Sequence, residues 1–242
     1  MQMITSKLRS LWYRSAQRLF LKESAHPKDY FGTIYSRNLW GGRNSKSGLG
    51  SEGAFARQKI ELLEELRRTY AIRSILDLGC GDFNWMKDFV GRLDRYHGVD
   101  IVPDLIAANQ ARYGSERVSF QCIDLSNRSE QPKIAISRPD LVICFDVFGH
   151  LLNNEVDALL DFILNGLQAK YFLVTNRRVA GSTEYLQRAK TRLEGIDLEV
   201  HPLFKRRAPR RVRQSPGVYP DDFFDLYALN AGGSGEPAGG KS

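Results

Sequence analysis

Residues 74–86 read SILDLGCGDFNWM, an apolar run that ends in an acid and two glycines one residue apart. The first part, SILDL, is typical of a buried strand. Gly79 and Gly81 follow, and glycines at the end of a strand let the backbone approach a ligand and let the next helix direct its N-terminus at that ligand. The stretch therefore predicts a strand and a turn that bind a nucleotide-like molecule.

Short apolar runs recur after this turn at intervals of about 20 to 25 residues, with helical stretches between them. The predicted strands are 74–78, 95–100, 118–124, 140–146 and 170–176, and the predicted helices are 85–93, 103–113 and 154–167. Parallel strands require such crossover connections, and the connecting helices cover both faces of the sheet. The pattern therefore predicts an α/β fold with a doubly wound sheet.

The C-terminal part of the chain departs from this alternation. A helix is predicted at 182–193, a strand at 198–204 and an aromatic strand at 223–229, with the basic loop KRRAPRRVR (205–213) between the two strands. Because no helix separates these strands, we expect an antiparallel hairpin at the sheet edge. The glycine-rich residues 231–242 have little to bury, so disorder is expected there.

The first 51 residues precede the α/β pattern. Residues 6–22 place apolar side chains near one face at helical spacing, with basic side chains between or opposite them, which predicts a basic amphipathic helix. Such a helix packs on its own domain or lies on an anionic membrane surface. The glycine-, serine- and aromatic-rich segment after it is too flexible for a core element and too aromatic for an idle linker. Ser51 is a candidate cap for the next predicted helix, 56–72.

Composition limits the number of domains and the classes of partner. A chain of 242 residues with 42% hydrophobic residues can bury one core, so we expect one domain over 52–230, with 1–51 as an N-terminal extension and 231–242 as a tail. The net charge of +7 favours anionic partners without distinguishing nucleic acid, lipid headgroups or charged metabolites. The three cysteines lack a metal-ligand spacing and are typical of reduced cytosolic thiols. We expect neither a membrane span nor a secretory signal.

Acidic residues stand at the ends of three successive predicted strands. Asp77 belongs to the glycine turn, Asp100 ends the second strand, and Asp124 ends the third. A carboxylate at Asp100 can accept both hydroxyl protons of a ribose, and one at Asp124 can accept a hydrogen bond from an adenine amine. Each acid alone could be a helix cap, but three at successive strand ends beside a glycine turn indicate an adenosine-containing ligand.

The order DLGCG, GVDIV, CIDLS and DLVICFDVFGHL resembles that of the class I S-adenosylmethionine-dependent methyltransferases, over about residues 52–230. The resemblance implies a Rossmann-like, seven-stranded sheet, mostly parallel with a reversed last strand, and a cofactor, S-adenosylmethionine, lying across the strand ends. It also implies a set of cofactor contacts, which are Asp77, Gly79 and Gly81 at the amino acid portion, Asp100 with Ile101 at the ribose, and Ile123, Asp124 and Leu125 at the adenine.

CGDFNWM, GVDIVPDLIAANQ and the upstream SGLGS (47–51) are similar to a bacterial subgroup of these methyltransferases. That subgroup carries a serine and glycine loop before the helix that precedes the first strand. The resemblance implies that Trp40 and the loop from Ser47 to Ser51 fold over the cofactor as a lid. It does not name a substrate.

A dehydrogenase that binds a dinucleotide also has glycines at this turn and an acid at the ribose. Its fingerprint, G-x-G-x-x-G, requires a third glycine, whereas Phe83 and Asn84 stand here. A pyrophosphate would be repelled by Asp77 and Asp82, while the ammonium of a methionine moiety would be attracted to them. The methyltransferase interpretation is therefore favoured, with Asp82 counted among the cofactor-binding residues.

Phe83 is the clearest departure from the usual glycine pattern. A bulky residue at this position requires a wider helix entry. We therefore expect Phe83, Asn84 and Trp85 to form one wall of the cofactor or acceptor pocket.

The loop after the fourth strand, FDVFGHLLNNE, supplies the candidate catalytic residues. Methyl transfer from a sulfonium is an in-line displacement, so positioning supplies most of the rate unless the nucleophile carries a proton. His150 could deprotonate a hydroxyl or an amine, or it could only cap the next helix or pack beside the adenine. Asp146 is expected to hold the methionine end of the cofactor or to orient His150. No NPPY or DPPY tetrapeptide stands here, which argues against methylation of a nucleobase amine.

The acceptor is less constrained than the cofactor. The candidate acceptor-binding residues are Trp85, Asn153, Asn176 and Arg177. The basic block 205–213 is either a solvated loop or a clamp for an anionic acceptor, such as a phosphorylated or uronic sugar, a lipid headgroup or RNA.

We therefore expect a cytoplasmic methyltransferase that transfers a methyl group to an oxygen or nitrogen of a small-molecule or glycan-type acceptor. Contact of residues 6–22 with lipid would place it at the inner membrane face. One alternative is an RNA methyltransferase, which the charge favours and the absence of a separate RNA-binding module disfavours. A second alternative is a non-catalytic module that binds S-adenosylmethionine. No metal site is expected.

Overall fold

A computed structural model of the chain describes residues 26–177, 197–218 and 222–229. The strands in these ranges are β1 (Ser74–Leu78), β2 (Arg95–Asp100), β3 (Val118–Cys122), β4 (Leu141–Cys144), β5 (Tyr171–Arg177), β6 (Arg210–Pro216) and β7 (Asp222–Ala228). The α-helices are α1 (Pro27–Arg37), α2 (Gly53–Tyr70), α3 (Pro103–Tyr113), α4 (Asn153–Asp161) and α5 (Pro202–Arg207).

The seven strands form one sheet in the order β3, β2, β1, β4, β5, β7, β6. β1 to β5 are mutually parallel, while β7 runs antiparallel to both β5 and β6. The expected doubly wound sheet with an antiparallel edge hairpin is confirmed. The carboxyl ends of β1, β2 and β4 meet at one edge of this sheet, which is where open α/β sheets bind ligands.

Both faces of the sheet are covered by apolar side chains, as the near-continuous apolar runs predict. Along β1, Ile75 faces one layer and Leu76 and Leu78 face the other, because successive side chains of a strand alternate. Helix α2 packs on the Ile75 side, and α4 packs on the opposite side. The central strands are therefore fixed from both faces, and the turns at their carboxyl ends are held in place.

Two predicted elements have a different structure. The predicted helix 85–93 is a pair of 3-10 turns, Met86–Asp88 and Val90–Arg92. The predicted strand 198–204 is instead a 3-10 turn, Leu198–Val200, followed by α5. The reason lies in the start of α5, where Pro202 occupies the first turn and the His201 side chain accepts a hydrogen bond from the Leu203 N–H at 3.2 Å.

The basic block 205–213 is not a loop, because it forms the last turn of α5 and the first half of β6. Helix α1 lies within the glycine-, serine- and aromatic-rich segment, whose composition predicted too much flexibility for a core element. Pro27 at its start and a side-chain cap from His26 explain why it forms. The predicted helices 6–22 and 182–193 and the tail 231–242 lie outside the described residues.

The direction of β6 decides where the basic block lies. Arg210 is level with Ala228, which is level with Tyr171 at the start of β5, and Pro216 is level with Phe223 and Asn176 near its end. β6 therefore runs parallel to β5. Its basic beginning lies at the sheet edge where the parallel strands start, and its end leads to the edge where they finish.

Candidate cofactor and acceptor site

A cavity of about 310 Å³ lies at the carboxyl ends of β1, β2, β3 and β4 and is covered by α1 and the segment after it. This volume falls within the range of small-molecule sites. The sequence-predicted residues that line it are Trp40, Ser47, Ser51, Asp77, Gly79, Gly81, Asp82, Trp85, Asp100, Ile101, Asp124, Leu125, Asp146 and His150. The structure therefore brings together most of the residues that the sequence singled out.

The turn after β1 is tightly constrained by its surroundings. Gly79 and Gly81 have φ values of 82° and 58°, in the left-handed region that favours glycine. A Cβ atom on Gly81 would lie 2.4 Å from the Ser47 hydroxyl, so the bare backbone lets the covering segment pack directly on the turn. The Gly81 N–H donates to the Asp100 carboxylate at 3.0 Å, and its carbonyl accepts from Asn109 on α3 at 2.8 Å.

Asp77 and Asp100 are buried carboxyl groups with different partners. Asp77 accepts a hydrogen bond of 2.7 Å from the hydroxyl of Tyr96, and burial raises the pKa of Asp77 to about 7. Asp100 accepts hydrogen bonds from the backbone N–H groups of Gly81 and Val102, and burial raises its pKa as well. Both groups line the cavity, so a ligand with hydroxyl or ammonium donors would offset the cost of their burial.

The end of β3 forms the other extreme of the cavity. Asp124 accepts hydrogen bonds from the backbone and the hydroxyl of Ser126 at 2.9 and 2.6 Å. The apolar side chains of Ile123 and Leu125 lie on either side of it in the sequence and also line the cavity. One carboxylate between two apolar side chains suits a flat heteroaromatic ring with an amine at its edge.

Asp82 lines the cavity, and its carboxylate also binds the segment that covers the cavity. It accepts hydrogen bonds from the hydroxyls of Ser45 and Ser47 at 2.9 to 3.0 Å and from the Lys46 N–H at 2.6 Å. The hydroxyl of Ser47 in turn accepts from the Asp82 N–H at 3.0 Å. The loop Ser45–Ser51, which we call the serine loop, is thereby tied to the glycine turn.

Aromatic side chains close the cavity above the strand ends. The ring of His150 packs edge-on against Phe31 with centroids 5.2 Å apart and lies 6.1 Å from the ring of Trp40. Trp40 also packs against Tyr35. Burial lowers the pKa of His150 to about 4, so its imidazole is neutral at pH 7. Its buried Nδ1 atom has no hydrogen-bond partner within the described residues.

Lys59 is a cavity residue that was not predicted from the sequence. It lies on α2, lines the cavity and is 3% exposed. A signal for it exists, because residues 59, 62, 63 and 66 occupy one buried stripe of the helix and three of them are leucines. A lysine in the apolar stripe of an amphipathic helix is unusual. Glu155 and Val218 line the cavity as well and were also not predicted.

Phe83 is not a wall of the cavity, contrary to expectation. Its side chain is 1% exposed and packs in the core against Tyr96, Tyr113 and Phe120, with ring centroids 4.9 to 5.2 Å apart. A φ of 59° at Phe83 turns the side chain away from the strand ends and into the layer between α3 and the sheet. Of the expected wall, Trp85 alone lines the cavity, while Asn84 donates to the Ser51 carbonyl.

Two expected acceptor-binding residues do not line the cavity. Asn176 is fully buried, where its amide donates to the Asp225 carboxylate and the Tyr227 hydroxyl at 2.8 and 2.9 Å. It therefore ties β5 to β7. Asn153 stands at the start of α4, outside the lining residues. Arg177 ends β5 at the correct sheet edge, and its side chain lies outside the described part of the structure.

The described residues contain no group of three or more His, Cys, Asp or Glu side chains that could hold a metal ion. None of their helices is long and apolar enough to cross a membrane. The three cysteines are free thiols, with Cys80 and Cys144 buried and Cys122 exposed.

The strand order, the glycine turn after β1 and the acids after β2 and β3 define the Rossmann-like fold of class I methyltransferases. Residues 76–169 match the family model described as "Methyltransferase domain". That region contains the end of β1, all of β2 to β4 and most of the cavity residues.

Known proteins with related sequences or structures differ in their acceptors. A "Small RNA 2'-O-methyltransferase" of Gallus gallus is 24% identical over 196 residues, which cover 76% of this chain and 49% of that protein. The chain thus spans about half the length of this curated relative. The structure of the N-methyltransferase NodS from Bradyrhizobium japonicum WM9 with S-adenosyl-L-homocysteine has a TM-score of 0.57 at 15% identity and covers 81% of this chain and 98% of its own.

A magnesium protoporphyrin IX methyltransferase (ChlM) from Synechocystis PCC 6803 with bound SAH has a TM-score of 0.55 at 14% identity, covering 83% of this chain and 95% of its own. At these identities the structural matches establish the fold. Together with the family match over residues 76–169, they support an S-adenosylmethionine-dependent methyltransferase domain in this chain. The bare turn and the buried carboxyl groups around the cavity fit that cofactor.

Proposed function

We propose that this protein transfers a methyl group from S-adenosylmethionine to an oxygen or nitrogen atom of a small-molecule or glycan-type acceptor. The observation that carries the proposal is one cavity whose lining changes in character along its length. Asp124, Asp100 and the glycine turn follow one another at adjacent strand ends, and Trp85 and Phe145 lie beyond them. The cofactor supplies a methyl carbon activated by its sulfonium group.

The cofactor-binding roles follow the order of the strands. Asp124 would accept a hydrogen bond from the adenine amine, and Asp100 would accept the ribose hydroxyls, while Asp77 would face the ammonium of the amino acid portion. The rings of Trp40 and His150 would cover the cofactor and exclude water from it. These assignments are supported by the burial of Asp77 and Asp100 and the partial burial of Asp124 beside one cavity.

His150 and Asp146 take different roles in this proposal. A histidine with a pKa of about 4 is a weak general base at neutral pH, so His150 serves as a packing residue whose buried Nδ1 has no partner within the described residues. Asp146 follows β4 with a φ of 60°, a conformation that a non-glycine residue rarely adopts. Such strain at the strand end supports a site role for Asp146, holding the methionine end of the cofactor.

A small acceptor is favoured by the distance between the cavity and the basic block. Leu49, which is 54% exposed, Gly50 and Val218 also line the cavity. The basic block begins at the opposite sheet edge, and a strand of seven residues spans roughly 20 Å. A small anionic acceptor in the cavity would therefore not reach Arg210, so the block is not its clamp.

RNA methylation is the second candidate. The similarity to a protein described as a small RNA 2'-O-methyltransferase favours it, as do four exposed cations near the start of β6, Lys205, Arg206, Arg207 and Arg210. A polyanion long enough to follow β6 could contact these side chains and the cavity at once. Binding to nucleic acid would then weaken steeply with salt.

Titration calorimetry tests cofactor binding first. The protein should bind S-adenosylmethionine and S-adenosylhomocysteine, and Asp100→Asn should weaken both by roughly 10-fold or more, because buried hydrogen bonds are lost. Asp104→Asn, an exposed change in the first turn of α3, is the matched control. Absence of binding by the unmodified protein would overturn the proposed function.

Tritium transfer then identifies the acceptor class. Labelled cofactor is incubated with separated glycan, lipid, RNA and metabolite pools, and label in the glycan or metabolite pool is the expected result. Label confined to RNA favours the second candidate. Cofactor binding without transfer into any pool favours the non-catalytic binding module. Membrane contact of residues 6–22 is tested separately, since deletion of residues 1–24 should reduce binding to anionic vesicles.

A further inference from the structure

Lys59 is the least expected charge in the described structure. It is 3% exposed, and lysine is almost never buried to this extent unless it is paired. Transfer of an ammonium group from water to a protein interior carries a large desolvation cost. A buried lysine therefore requires a compensating partner.

The described residues supply only part of that compensation. The Lys59 Nζ atom lies 5.4 Å from the centre of the Trp85 ring and 5.3 Å from that of Phe145, at cation–π distance from both. Within the described part of the chain it makes no hydrogen bond and no ion pair shorter than 4.0 Å. Asp146 and Asp77 act on it through space, yet desolvation dominates and the pKa of Lys59 is lowered.

The charges around the cavity are strongly unequal. Among the described residues that line it, the acids are Asp77, Asp82, Asp100, Asp124, Asp146 and Glu155, and the only lysine is Lys59. The charges of S-adenosylmethionine are also unequal, with a sulfonium and an ammonium against a single carboxylate. The acids complement the cationic groups and the hydroxyls, which leaves the cofactor's carboxylate in need of a donor.

We propose that Lys59 binds the carboxylate of the methionine portion of S-adenosylmethionine, a positioning role that rests on the proposed function. The carboxylate would supply the ion pair that the two aromatic rings do not supply. Lys59 lies on α2 and Asp77 lies on β1 just before the glycine turn, and the two side chains interact electrostatically. With the ammonium at Asp77 and the carboxylate at Lys59, both ends of the amino acid group would be fixed, and the direction of the methyl group with them.

An anionic acceptor is the competing occupant of the same position. Both ligands offer an anionic oxygen to the Lys59 Nζ atom. If Lys59 binds the cofactor's carboxylate, it contributes to cofactor affinity in the absence of an acceptor. If it binds the acceptor, it does not. Decarboxylated S-adenosylmethionine, which keeps the sulfonium, the amine and the adenosine, separates the two cases. It lacks the single group that Lys59 is proposed to recognise.

The experiment measures binding of the two compounds to the full chain by titration calorimetry. The unmodified protein should bind S-adenosylmethionine roughly 10- to 100-fold more tightly than the decarboxylated compound, the effect of one charge-assisted hydrogen bond. Lys59→Met should abolish this preference by weakening the S-adenosylmethionine complex alone. Arg57→Met removes one exposed positive charge from the same helix and should preserve the preference.

Three results would overturn the proposal. They are equal affinity of the unmodified protein for the two compounds, unchanged S-adenosylmethionine affinity in Lys59→Met, and equal loss of both compounds in that variant. If Lys59→Met does not fold, the preference of the unmodified protein decides by itself. Failure of the unmodified protein to bind either compound is a different outcome, because it contradicts the proposed function and not the role of Lys59 alone.

Discussion

At the scale of single residues, Phe83 shows how one backbone angle redirects a side chain. Its φ of 59° is costly for a residue other than glycine, by roughly 1 to 3 kcal/mol. Burial among Tyr96, Tyr113 and Phe120 offsets that cost. The bulky side chain of Phe83 after the glycine turn therefore stabilises the core and does not line the cavity.

Phe83→Ala should lower the free energy of unfolding by about 3 to 5 kcal/mol, because it removes a buried aromatic ring and leaves a cavity. Phe83→Gly should cost less than Phe83→Ala, since glycine adopts the positive φ without strain. This order is the reverse of the usual one and is measured by urea denaturation. A larger loss in the glycine variant would contradict the strain argument.

Asp77 should give the cofactor-free protein a pH-dependent stability. Its pKa is about 7 in the folded chain and about 3.9 in an unfolded one, so between these values the folded protein retains a proton that the unfolded chain has lost. The free energy of unfolding should therefore fall as pH rises through this window, by up to about 1.4 kcal/mol per pH unit.

Asp77→Asn should remove this contribution. The contribution of His150 to the pH dependence of stability has the opposite sign. Its lowered pKa makes the free energy of unfolding fall as pH drops from about 6.5 through 4. That contribution is present in both proteins, so the difference between their stability curves isolates Asp77. Parallel curves between pH 4 and 7 would contradict the raised pKa.

At the scale of elements, the serine loop and the glycine turn behave as one unit. Asp82 accepts hydrogen bonds from three residues of the loop, and Ser47 bonds back to the backbone of Asp82. Opening of the cavity on this side requires these bonds to break together. The carboxylate of Asp82 therefore holds the loop on the glycine turn.

Asp82→Ala should release the serine loop without unfolding the sheet. Hydrogen exchange at the amides of residues 45–51 should accelerate by roughly 10-fold or more, because hydrogen bonds to a charged group are lost. Asp88→Ala, an exposed change in the following 3-10 turn, should leave the exchange unchanged. Equal protection of residues 45–51 in both variants would show that Asp82 does not hold the loop.

At the scale of the whole molecule, the basic block 205–213 and the cavity are separated by the length of the sheet. The first residues of β6 stand at the edge where the parallel strands begin, while the cavity lies at the opposite edge. Arg211 and Arg213 are paired with Glu199 and Glu65. Exposed charges at the start of an edge strand also discourage pairing with another sheet.

Replacement of Arg206, Arg207 and Arg210 by glutamine should leave cofactor affinity unchanged within about twofold, because charges roughly 20 Å away are screened. Methyl transfer to a small acceptor should likewise be unaffected and depend little on salt. Calorimetry and tritium transfer at two salt concentrations measure these effects. A strong loss of transfer that is largest at low salt would support RNA as the acceptor, because salt weakens the contribution of each phosphate contact.

The sequence by itself determined the sheet and the strand-end acids. β1 and β2 have the predicted bounds, because alternating apolar runs and crossover lengths depend on local pattern. The acids at Asp77, Asp100 and Asp124 could be placed together because the carboxyl ends of neighbouring parallel strands meet at one edge. The cap and proline of α5 were present in the sequence, yet its apolar residues were compatible with a strand.

Only the tertiary structure decided what each of these positions faces. Three positions depend on how separate elements pack against one another. They are the side-chain direction of Phe83, the burial of Asn176 in a hydrogen-bond network and the position of Lys59 beside the cavity. Pairing of β6 beside β7 likewise fixed the basic block far from the cavity. Local periodicity assigns a residue to an element, but burial and contact arise between residues distant in sequence, and no local pattern contains them.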